Sequence, residues 1–296
     1  DSDDTISPTG GSNLVYGYQR LETPSTAGVR QINSEYTANE AKRTKQTASP
    51  VILGGSFEID RVIAQTSGAI NEMDFQIKQK TKAGANYFHN LVINGTSASS
   101  GVGYVPNTFD GLKKILSGKS TEMTTDIDVS TSAMLDSNYN AFLDELDTFL
   151  ALLAAKPDVL MMNNKMLTKI RSAARRAGYY DRSKDDFGRT VETYNGILLM
   201  DAGEYYNGSA TEDVVATSTP DSTHYGTSDI YAAKLGLDAF HGISVDGSKM
   251  LKTYLPDMSA PGAVKKGEVE LIAGAVLKNS KMAGVLKGIK LLGKTS

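Results

Sequence analysis

Residues 70–93 read INEMDFQIKQKTKAGANYFHNLVI and carry the strongest helical signal in the chain. Apolar and small residues fall near one stripe of a 3.6-residue period, and the lysines between them lie mostly off it. The stripe comprises Ile70, Met73, Ile77, Gly84, Tyr87, Phe88 and Leu91. At 1.5 Å per residue the helix would be about 35 Å long, the length of a spine. We expect Met73, Ile77, Tyr87 and Phe88 to face a hydrophobic core.

A second helix is predicted for residues 137–155, where large apolar residues recur at helical spacing. Asp136 or Ser137 is positioned to cap its start, and Pro157 enforces its end. The recurring residues are Tyr139, Phe142, Leu143, Leu146, Phe149, Leu150 and Leu153.

A third helix follows a short buried strand. The run DVLMM at 158–162 is typical of such a strand. Asn163 or Asn164 can cap a helix that continues to Gly178, which is suited to a helix C-terminus. YNGILLM at 194–200 is predicted to be another strand.

The last third of the chain is rich in strands. Residues 201–229 contain many Gly, Ser, Thr, Asp and Asn residues and predict a long surface loop, with a solvent-facing tip around Gly203–Thr217. From residue 230 onward, apolar strands alternate with Gly and Pro. Helices concentrated before strands predict an α+β fold.

The region before the spine has few large apolar side chains. Residues 1–14 are acidic, then Gly-rich, and predict an extended arm. Residues 15–56 contain strand-like alternation in VYGYQRLE (15–22), a weaker version in GVRQINSEYT (28–37) and the charged turn NEAKRTKQTAS (39–49). This stretch predicts a two-stranded ribbon that needs a partner surface and is mobile in a free subunit.

Composition excludes several classes of function. The 296 residues are 40% hydrophobic, which is enough for a core, and the net charge of −3 does not mark a dedicated nucleic-acid binder. With no cysteine, the chain has no disulfide, thiolate metal site or cysteine nucleophile. No apolar run approaches the roughly 20 residues that cross a bilayer, so no membrane partner is expected.

One stretch resembles a phosphate-binding loop because it ends in Gly118-Lys119-Ser120. That motif needs four residues between its first Gly and the Gly-Lys pair, so that backbone N–H groups wrap a phosphate. Here six residues follow Gly111, and their pattern, LKKILS, is helical. A long helix rather than a strand also precedes the loop. The Gly- and Ser-rich run is therefore interpreted as a connection.

Other signals of catalysis or metal binding are weak. GVGYVP at 101–106 lacks the third glycine of a dinucleotide fingerprint, and the DFG at 186–188 lacks every other kinase element. His89, His224 and His241 show no metal-ligand spacing and are interpreted as structural or surface residues. The sequence therefore predicts no catalytic residue, no metal and no cofactor.

Two sets of charged residues are interpreted without a catalytic or sequence-reading role. Asp144, Glu145 and Asp147 are expected to form the solvated face of the second helix rather than paired catalytic carboxylates. The third helix has a basic side without interleaved aromatics, which favours a subunit contact or loose phosphate attraction over specific readout. Its cations are Lys165, Lys169, Arg171, Arg175 and Arg176.

The order of these parts resembles that of the major capsid proteins of tailed bacteriophages, which have the Hong Kong 97-type shell fold. The resemblance covers nearly the whole chain and rests on an ordered set of weak motifs. Besides the spine leading into LVINGT, these are TFDGLKKIL (108–116), KPDVLMMNNKMLTKIRSAARRAG (156–178), DRSKDDFGRTVETYNGILLM (181–200), SDIYAAKLG (228–236) and the closing AGVLKGIKL.

The resemblance implies four structural regions. They are an N-terminal arm at 1–14, an extended β-ribbon loop at 15–56, a peripheral domain built on the spine helix at 57–125 and 248–278, and an axial domain at 126–247 and 279–296. The family often loses an N-terminal scaffolding region to a phage protease, with which a chain beginning at Asp1 is compatible.

The resemblance also implies a function. The chain would self-assemble, as pentamers and hexamers, into an icosahedral head shell around double-stranded DNA that it contacts non-specifically. Scaffolding, portal, protease and decoration proteins are expected partners, with assembly in the host cytoplasm. An encapsulin-like compartment shell is the alternative within the same fold. The alternative from another class is a metabolic enzyme with residues 201–229 as its lid.

The candidate contacts between subunits are ionic. Lys42, Arg43 and Lys45 form a dense cationic cluster in the ribbon. They are either a solvated turn or a docking site for a neighbour's carboxylates. Candidate partners are Glu72 and Asp74 at the start of the spine, or the acidic arm with Asp1, Asp3 and Asp4.

Overall fold

The computed structural model describes residues 15–66, 71–97, 108–178, 181–184, 190–244 and 251–295. The predicted arm at 1–14 and the motifs at 101–106 and 186–188 lie outside these residues.

The described residues form a mixed α and β structure, as predicted. The helices are α1 (Arg61–Thr66), α2 (Glu72–Asn94), α3 (Leu112–Leu116), α4 (Ser132–Ala151) and α5 (Asn164–Arg176). The strands are β1 (Tyr16–Thr23), β2 (Lys42–Ala48), β3 (Val51–Asp60), β4 (Glu122–Thr124), β5 (Val159–Met162), β6 (Asp181–Lys184), β7 (Thr190–Tyr194), β8 (Ile197–Asp201), β9 (Glu204–Tyr206), β10 (Thr211–Asp213), β11 (Gly226–Ala233), β12 (Phe240–Ile243), β13 (Leu251–Tyr254), β14 (Val264–Leu277) and β15 (Ala283–Leu292).

The long strand β14 organises one sheet. It pairs antiparallel with β3 along ten residues and also with β12 and β13. Because side chains alternate across a strand, Val51, Leu53, Phe57 and Ile59 are buried on one face, against which α2 packs. The intervening residues of β3 project from the opposite face, which the described part of the subunit leaves open.

A second, seven-stranded sheet has the order β4-β15-β11-β5-β8-β7-β6. Leu160 and Met162 of β5 point into a core with α4 and α5, and Val159 and Met161 point into the core that reaches α2. Both faces of β5 are therefore buried, which explains the continuous apolar run that marked it in the sequence.

The spine helix is confirmed, but its burial is uneven. Asn71 caps α2 by accepting from the N–H groups of Met73 and Asp74. Tyr87 and Phe88 pack partly buried against the core, as predicted. Met73 and Ile77 were predicted to face the core, but they are only half-buried. The fully buried residues of α2 lie in its last turn.

Two glycines join the end of the spine to α3. Gly111 donates its N–H to the carbonyl of Gly95 over 2.9 Å. A Cβ on Gly111 would lie 2.6 Å from the carbonyl oxygen of Ile93, which is closer than van der Waals contact permits. Lys119, in the former phosphate-loop motif, instead pairs with Glu22 of the ribbon at 3.2 Å. The motif is thus a structural junction.

The ribbon has a fixed base and an exposed tip. β1 pairs antiparallel with β2, and Tyr16, Tyr18, Arg20 and Ala48 are buried at the base. The guanidinium of Arg20 donates to the Leu277 carbonyl at 3.0 Å and to the Tyr18 hydroxyl at 2.8 Å. Arg20 therefore attaches the base of the ribbon to β14, and the expectation that 15–56 is mobile in a free subunit stays a prediction.

Two assignments inside the ribbon are also wrong. Residues 28–37 form no strand and lie exposed, while the predicted charged turn contains β2. The reason is that β2 carries hydrophilic residues on nearly its whole length and is held by hydrogen bonding to β1. Hydrophobic alternation, the signal used for strands, is absent from it.

The second helix begins and ends earlier than predicted. Thr131, not Asp136 or Ser137, caps α4 by accepting from the N–H of Met134. At the other end, Ala154 donates its N–H to the carbonyl of Lys281 at 2.9 Å, which draws the chain onto the sheet before Pro157 is reached. The third helix, by contrast, has its cap at Asn163 and ends at the left-handed Gly178, as predicted.

The predicted strand at 194–200 is instead a turn and a strand. Asn195 and Gly196 have φ values of 51° and 69° and connect β7 to β8 as a hairpin. Positive φ at both central residues is the geometry of a type I′ turn, for which Asn-Gly is the preferred sequence.

The predicted long loop at 201–229 is anchored, not free. It contains the β9–β10 hairpin, and Val214 and Val215, which directly follow this hairpin, are buried in the core. Asn94 of the spine donates to the Val214 carbonyl at 2.7 Å. The expected solvent-facing tip is therefore wrong for these two valines, although residues 206–212 are exposed.

Sheet pairing does not follow the four implied regions at every boundary. β3 begins inside 15–56 and ends beyond it, and β12, within 126–247, pairs with β14. Conversely, β4, within 57–125, belongs to the seven-stranded sheet.

Candidate assembly surfaces

Two of the three carboxylates that were weighed as catalytic candidates accept hydrogen bonds within the subunit. The Glu145 carboxylate accepts from the Thr125 hydroxyl, and Asp147 accepts from the Tyr194 hydroxyl at 2.9 Å. The predicted solvated face is thus wrong in part for Glu145, which is half-buried, while Asp144 and Asp147 remain exposed. In the described part of the chain, no group of three or more His, Asp or Glu residues could hold a metal ion.

The histidines also stay apart. His241 is buried and meets the Tyr16 ring edge to face at 6.4 Å, so it has a structural position at the base of the ribbon. His89 lies exposed on α2, and His224 lies in an exposed turn.

The basic side of α5 is largely neutralised within the subunit. Lys165 pairs with Asp213 at 3.3 Å, Arg171 with Glu192 at 2.5 Å and Arg176 with Asp136 at 2.5 Å. Lys169 donates to the Ser130 carbonyl at 2.8 Å. Of the five cations, Lys165 and Arg175 are exposed, and only Arg175 has none of these contacts; this weakens the interpretation of α5 as a phosphate-attracting surface.

The ribbon cations are displayed outward. Arg43 and Lys45 stand opposite Leu21 and Gln19 of β1, on the face away from the buried tyrosines, and Lys42 is beside them. All three are exposed. Their side chains form no ion pair within the described part of the subunit.

The acidic residues predicted as their partners lie at the start of the spine. Glu72 accepts from the side chain of Gln76 at 2.7 Å, and Asp74 is exposed. Both occupy the first turn of α2, where negative charge complements the helix dipole. Within the described residues of one subunit, the structure does not bring them to the ribbon cations.

A better acidic surface was missed from the sequence. Glu58, Glu268 and Glu270 lie on the open face of the β3–β14 pair, which we call the acidic sheet face. Lys266 pairs with Glu268 at 3.3 Å, and Lys252 stands opposite Glu270, so the face is mixed but net acidic. The alternating carboxylates of KKGEVEL, at period 2, are the signal that could have revealed it.

A notch of about 270 Å³ opens in this face. It exists because Gly54 and Ser56 stand where larger side chains would fill the surface, between Glu268 and Glu270. A Cβ on Gly54 would lie 1.9 Å from the Val269 carbonyl oxygen, so only glycine fits there. The notch can receive a long cationic side chain and place its charge beside carboxylates.

Exposed apolar residues form two further surfaces. The ribbon tip carries Val29, Ile32 and Tyr36, of which Val29 is 104% exposed. A larger set of exposed apolar residues is spread along the β14 sheet and α1, namely Val62, Ile63, Leu251, Tyr254, Leu255, Met258 and Val264. Apolar exposure on this scale is characteristic of surfaces that contact other chains.

The family model for the SU10 major capsid protein matches residues 23–198, which is more than half of the chain. The chain belongs to the SU10 major capsid protein family. As a member of this family, it is a structural protein of tailed phages that assembles into the icosahedral shell of the virion. None of the curated proteins matches this sequence.

Solved structures agree with the fold of an SU10-family capsid protein. The SrpI encapsulin of Synechococcus elongatus PCC 7942 superposes with a TM-score of 0.66 at 12% identity, over 98% of this chain and 86% of that one. The capsid of Myoviridae Phage XM1 gives 0.56 at 12% identity, over 96% and 89%. The capsid of a native GTA particle gives 0.58 at 14% identity, over 96% and 88%. At these identities the likeness shows the Hong Kong 97-type fold alone.

None of the described helices of this family member has the length and apolar character needed to span a membrane.

Proposed function

We propose that the shell built by this chain encloses the double-stranded DNA genome of a tailed phage and has no enzymatic activity. The match to a phage capsid family over more than half of the chain supports this. Subunits assemble as pentamers and hexamers in the host cytoplasm, with scaffolding, portal, protease and decoration proteins as partners. The encapsulin alternative has the support of the SrpI fold match, whereas the family model that matches the sequence is that of a phage capsid protein.

The four implied regions are part of this proposal. The arm is 1–14, the extended loop 15–56, the peripheral domain 57–125 with 248–278, and the axial domain 126–247 with 279–296. The division is supported by two sheets, one packed on α2 and the other on α4 and α5.

Examination of purified particles tests the proposal. We expect uniform icosahedral particles by electron microscopy and nuclease-protected double-stranded DNA in particles from infected cells. Particles that contain a protein cargo and no DNA would establish the encapsulin alternative. Small oligomers alone would contradict a shell of either kind.

The ribbon is proposed to dock on a neighbouring subunit. Lys42, Arg43 and Lys45 would meet carboxylates there, and the acidic sheet face is the favoured surface because its notch admits a cationic side chain. Glu72 and Asp74 are the second candidate. Exposed ion pairs contribute about 0.2–1 kcal/mol each, but every subunit of a shell repeats them.

Limited proteolysis tests whether assembly covers the ribbon. In free subunits, trypsin should cut first at Arg30, Lys42, Arg43 or Lys45, which are exposed, and should spare Arg20, which is buried. In particles, the same cuts should slow by about 10-fold or more as neighbours cover the ribbon, because proteolysis follows the open population. Equal rates in both states would contradict an intersubunit role.

Charge reversal tests the acidic sheet face. Lys42→Glu, Arg43→Glu and Lys45→Glu together should leave the subunit folded and raise the assembly threshold about 10-fold at low salt, which corresponds to about 1.4 kcal/mol. The difference from the wild-type protein should shrink as salt screens the charges. Light scattering over protein and salt concentrations measures both effects.

The matched rescue combines this triple variant with Glu268→Lys and Glu270→Lys. If the variant with all five substitutions assembles normally again, the acidic sheet face is the partner of the ribbon cations. Rescue by Glu72→Lys and Asp74→Lys instead would identify the start of the spine. An unchanged threshold for the triple variant would leave these cations as a solvated turn.

A further inference from the structure

A polar groove of about 640 Å³ lies beside the last strand, apart from the surfaces described above. It is formed by the segment between Ser218 and Thr227 and by the end of β15. Its lining is hydroxyl-rich and contains two lysines, one tyrosine and one histidine. The residues are Ser218, Thr219, Asp221, Thr223, His224, Tyr225, Thr227, Lys290 and Lys294.

Two ammonium groups share the ring of Tyr225. The Nζ atom of Lys290 lies 4.9 Å from the ring centroid, and that of Lys294 lies 5.1 Å from it. Cation–π attraction holds each lysine there, although the two like charges repel each other. Lys290 also contacts Asp126 at 2.7 Å, but that carboxylate is 91% exposed and contributes little attraction. An anion in the groove would relieve the repulsion.

The one carboxylate in the groove is engaged by its own turn. Asp221 accepts from the N–H groups of Thr223 and His224, both at 2.7 Å, and from the Thr223 hydroxyl at 2.8 Å. Its second oxygen lies 2.8 Å from Nδ1 of His224. The His224 contact, with the other three, holds the pKa of Asp221 well below its usual range. Asp221 is therefore ionised at neutral pH, and both of its oxygens have partners within the turn.

The groove is preformed. Thr295 donates its N–H to the Asp221 carbonyl at 3.1 Å, which attaches the segment around Lys294 to the turn. On the other side, the N–H of Thr227 donates to the Ser218 hydroxyl at 2.8 Å, and the N–H of Ser218 donates to the Thr227 carbonyl at 2.8 Å. The lysines and hydroxyls thus meet a ligand without reordering of the backbone.

We propose that this groove binds phosphate groups of the nucleic acid that the shell encloses. Ammonium and hydroxyl donors are the groups that contact nucleic-acid phosphates. On the basic helix α5, by contrast, three of the five cations are paired with carboxylates and Lys169 donates to a carbonyl. The inference rests on the proposed function, because enclosed DNA supplies phosphate at high local concentration.

The test measures binding of a fluorescein-labelled 20-base-pair duplex to unassembled subunits by fluorescence anisotropy. Lys294→Glu should weaken binding about 10-fold at low salt and lower the slope of log K against log salt by about 1, since each neutralised phosphate contributes about 0.9. Tyr225→Leu should weaken binding less, because it removes the shared ring and keeps both charges. Both side chains are outside the core, so neither change should unfold the subunit.

The matched control is Lys281→Glu. This lysine is also exposed but lies at the opposite end of β15, about 30 Å away at 3.3 Å per residue. It should change the affinity less than twofold. An equal loss in both variants would overturn the proposal by showing attraction to the general charge of the subunit.

Competition separates the two possible sources of phosphate. Inorganic phosphate at millimolar concentration should displace the duplex only as far as its ionic strength predicts. Specific displacement would overturn the proposal in favour of a site for small free anions. Electron microscopy of the Lys294→Glu variant tests the shell function independently of the groove. Normal particles together with unchanged duplex binding would overturn phosphate binding by the groove and would not affect the proposed shell function.

Discussion

Replacing Gly111 with alanine is expected to lower the free energy of unfolding of the subunit by about 3 kcal/mol. The added Cβ would lie 2.6 Å from the Ile93 carbonyl oxygen and 2.7 Å from the Gly95 nitrogen. Both neighbours are backbone atoms at the end of the spine, so no side chain can rotate to make room. The spine and α3 must separate, which also stretches the Gly111 N–H hydrogen bond to Gly95.

The matched control for this change is Gly84→Ala in the middle of α2. Apart from the neighbouring backbone of α2, no atom of the described residues lies within 4 Å of a Cβ at that position, and alanine favours a helix over glycine by about 0.8–1 kcal/mol. Urea denaturation of unassembled subunits should therefore show opposite signs for the two variants. A Gly111→Ala subunit as stable as the wild-type protein would show that this junction is not closely packed.

Replacing Asn163 with aspartate is expected to cost about 3 kcal/mol, although it preserves the helix cap. The Asn163 amide is 1% exposed and donates to the Val215 carbonyl at 2.8 Å and to the hydroxyls of Thr217 and Ser228, both at 2.9 Å. Aspartate still accepts from the N–H of Met166 but has no donor for the carbonyl and buries a charge. The Ser228 hydroxyl already donates to the Ala216 carbonyl and is not free to compensate.

Asn71→Asp is the matched control, because Asn71 caps α2 in the same way at an exposed position. Aspartate is as good a cap as asparagine, and its charge suits a helix N-terminus, so stability should change by less than about 0.5 kcal/mol. Denaturation curves of the two variants should differ widely. Similar curves would show that the Asn163 amide contributes only a cap.

The sequence predicted best those elements whose signals are local. Asn163 and Gly178 delimit α5 because a cap side chain and a left-handed glycine act within a few residues. The spine helix was also predicted from a local signal, the helical spacing of its apolar residues. The resemblance to phage capsid proteins, which rested on an ordered set of such motifs, is confirmed by the family match.

What the sequence could not supply depends on distant pairings. An arginine in a polar stretch such as Arg20 is expected at the surface from sequence alone. It is buried here because the carbonyl of Leu277 and the Tyr18 hydroxyl accept hydrogen bonds from its guanidinium. Glu58 and Glu268 are far apart in the chain and share a face only through the register of β3 with β14. The contacts of Lys42, Arg43 and Lys45 between subunits stay a prediction.

The partial burial of α2 has a thermodynamic consequence. Phe75 is 44% exposed, and Met73 and Ile77 are half-buried, so one subunit supplies only part of the apolar contact that this half of the helix can make. A neighbouring subunit that covers these side chains in the shell would bind this half of α2 only in its helical form, and not when the helix has locally unfolded. By mass action, the stability of this half of the helix then rises with protein concentration, as that of an obligate oligomer does.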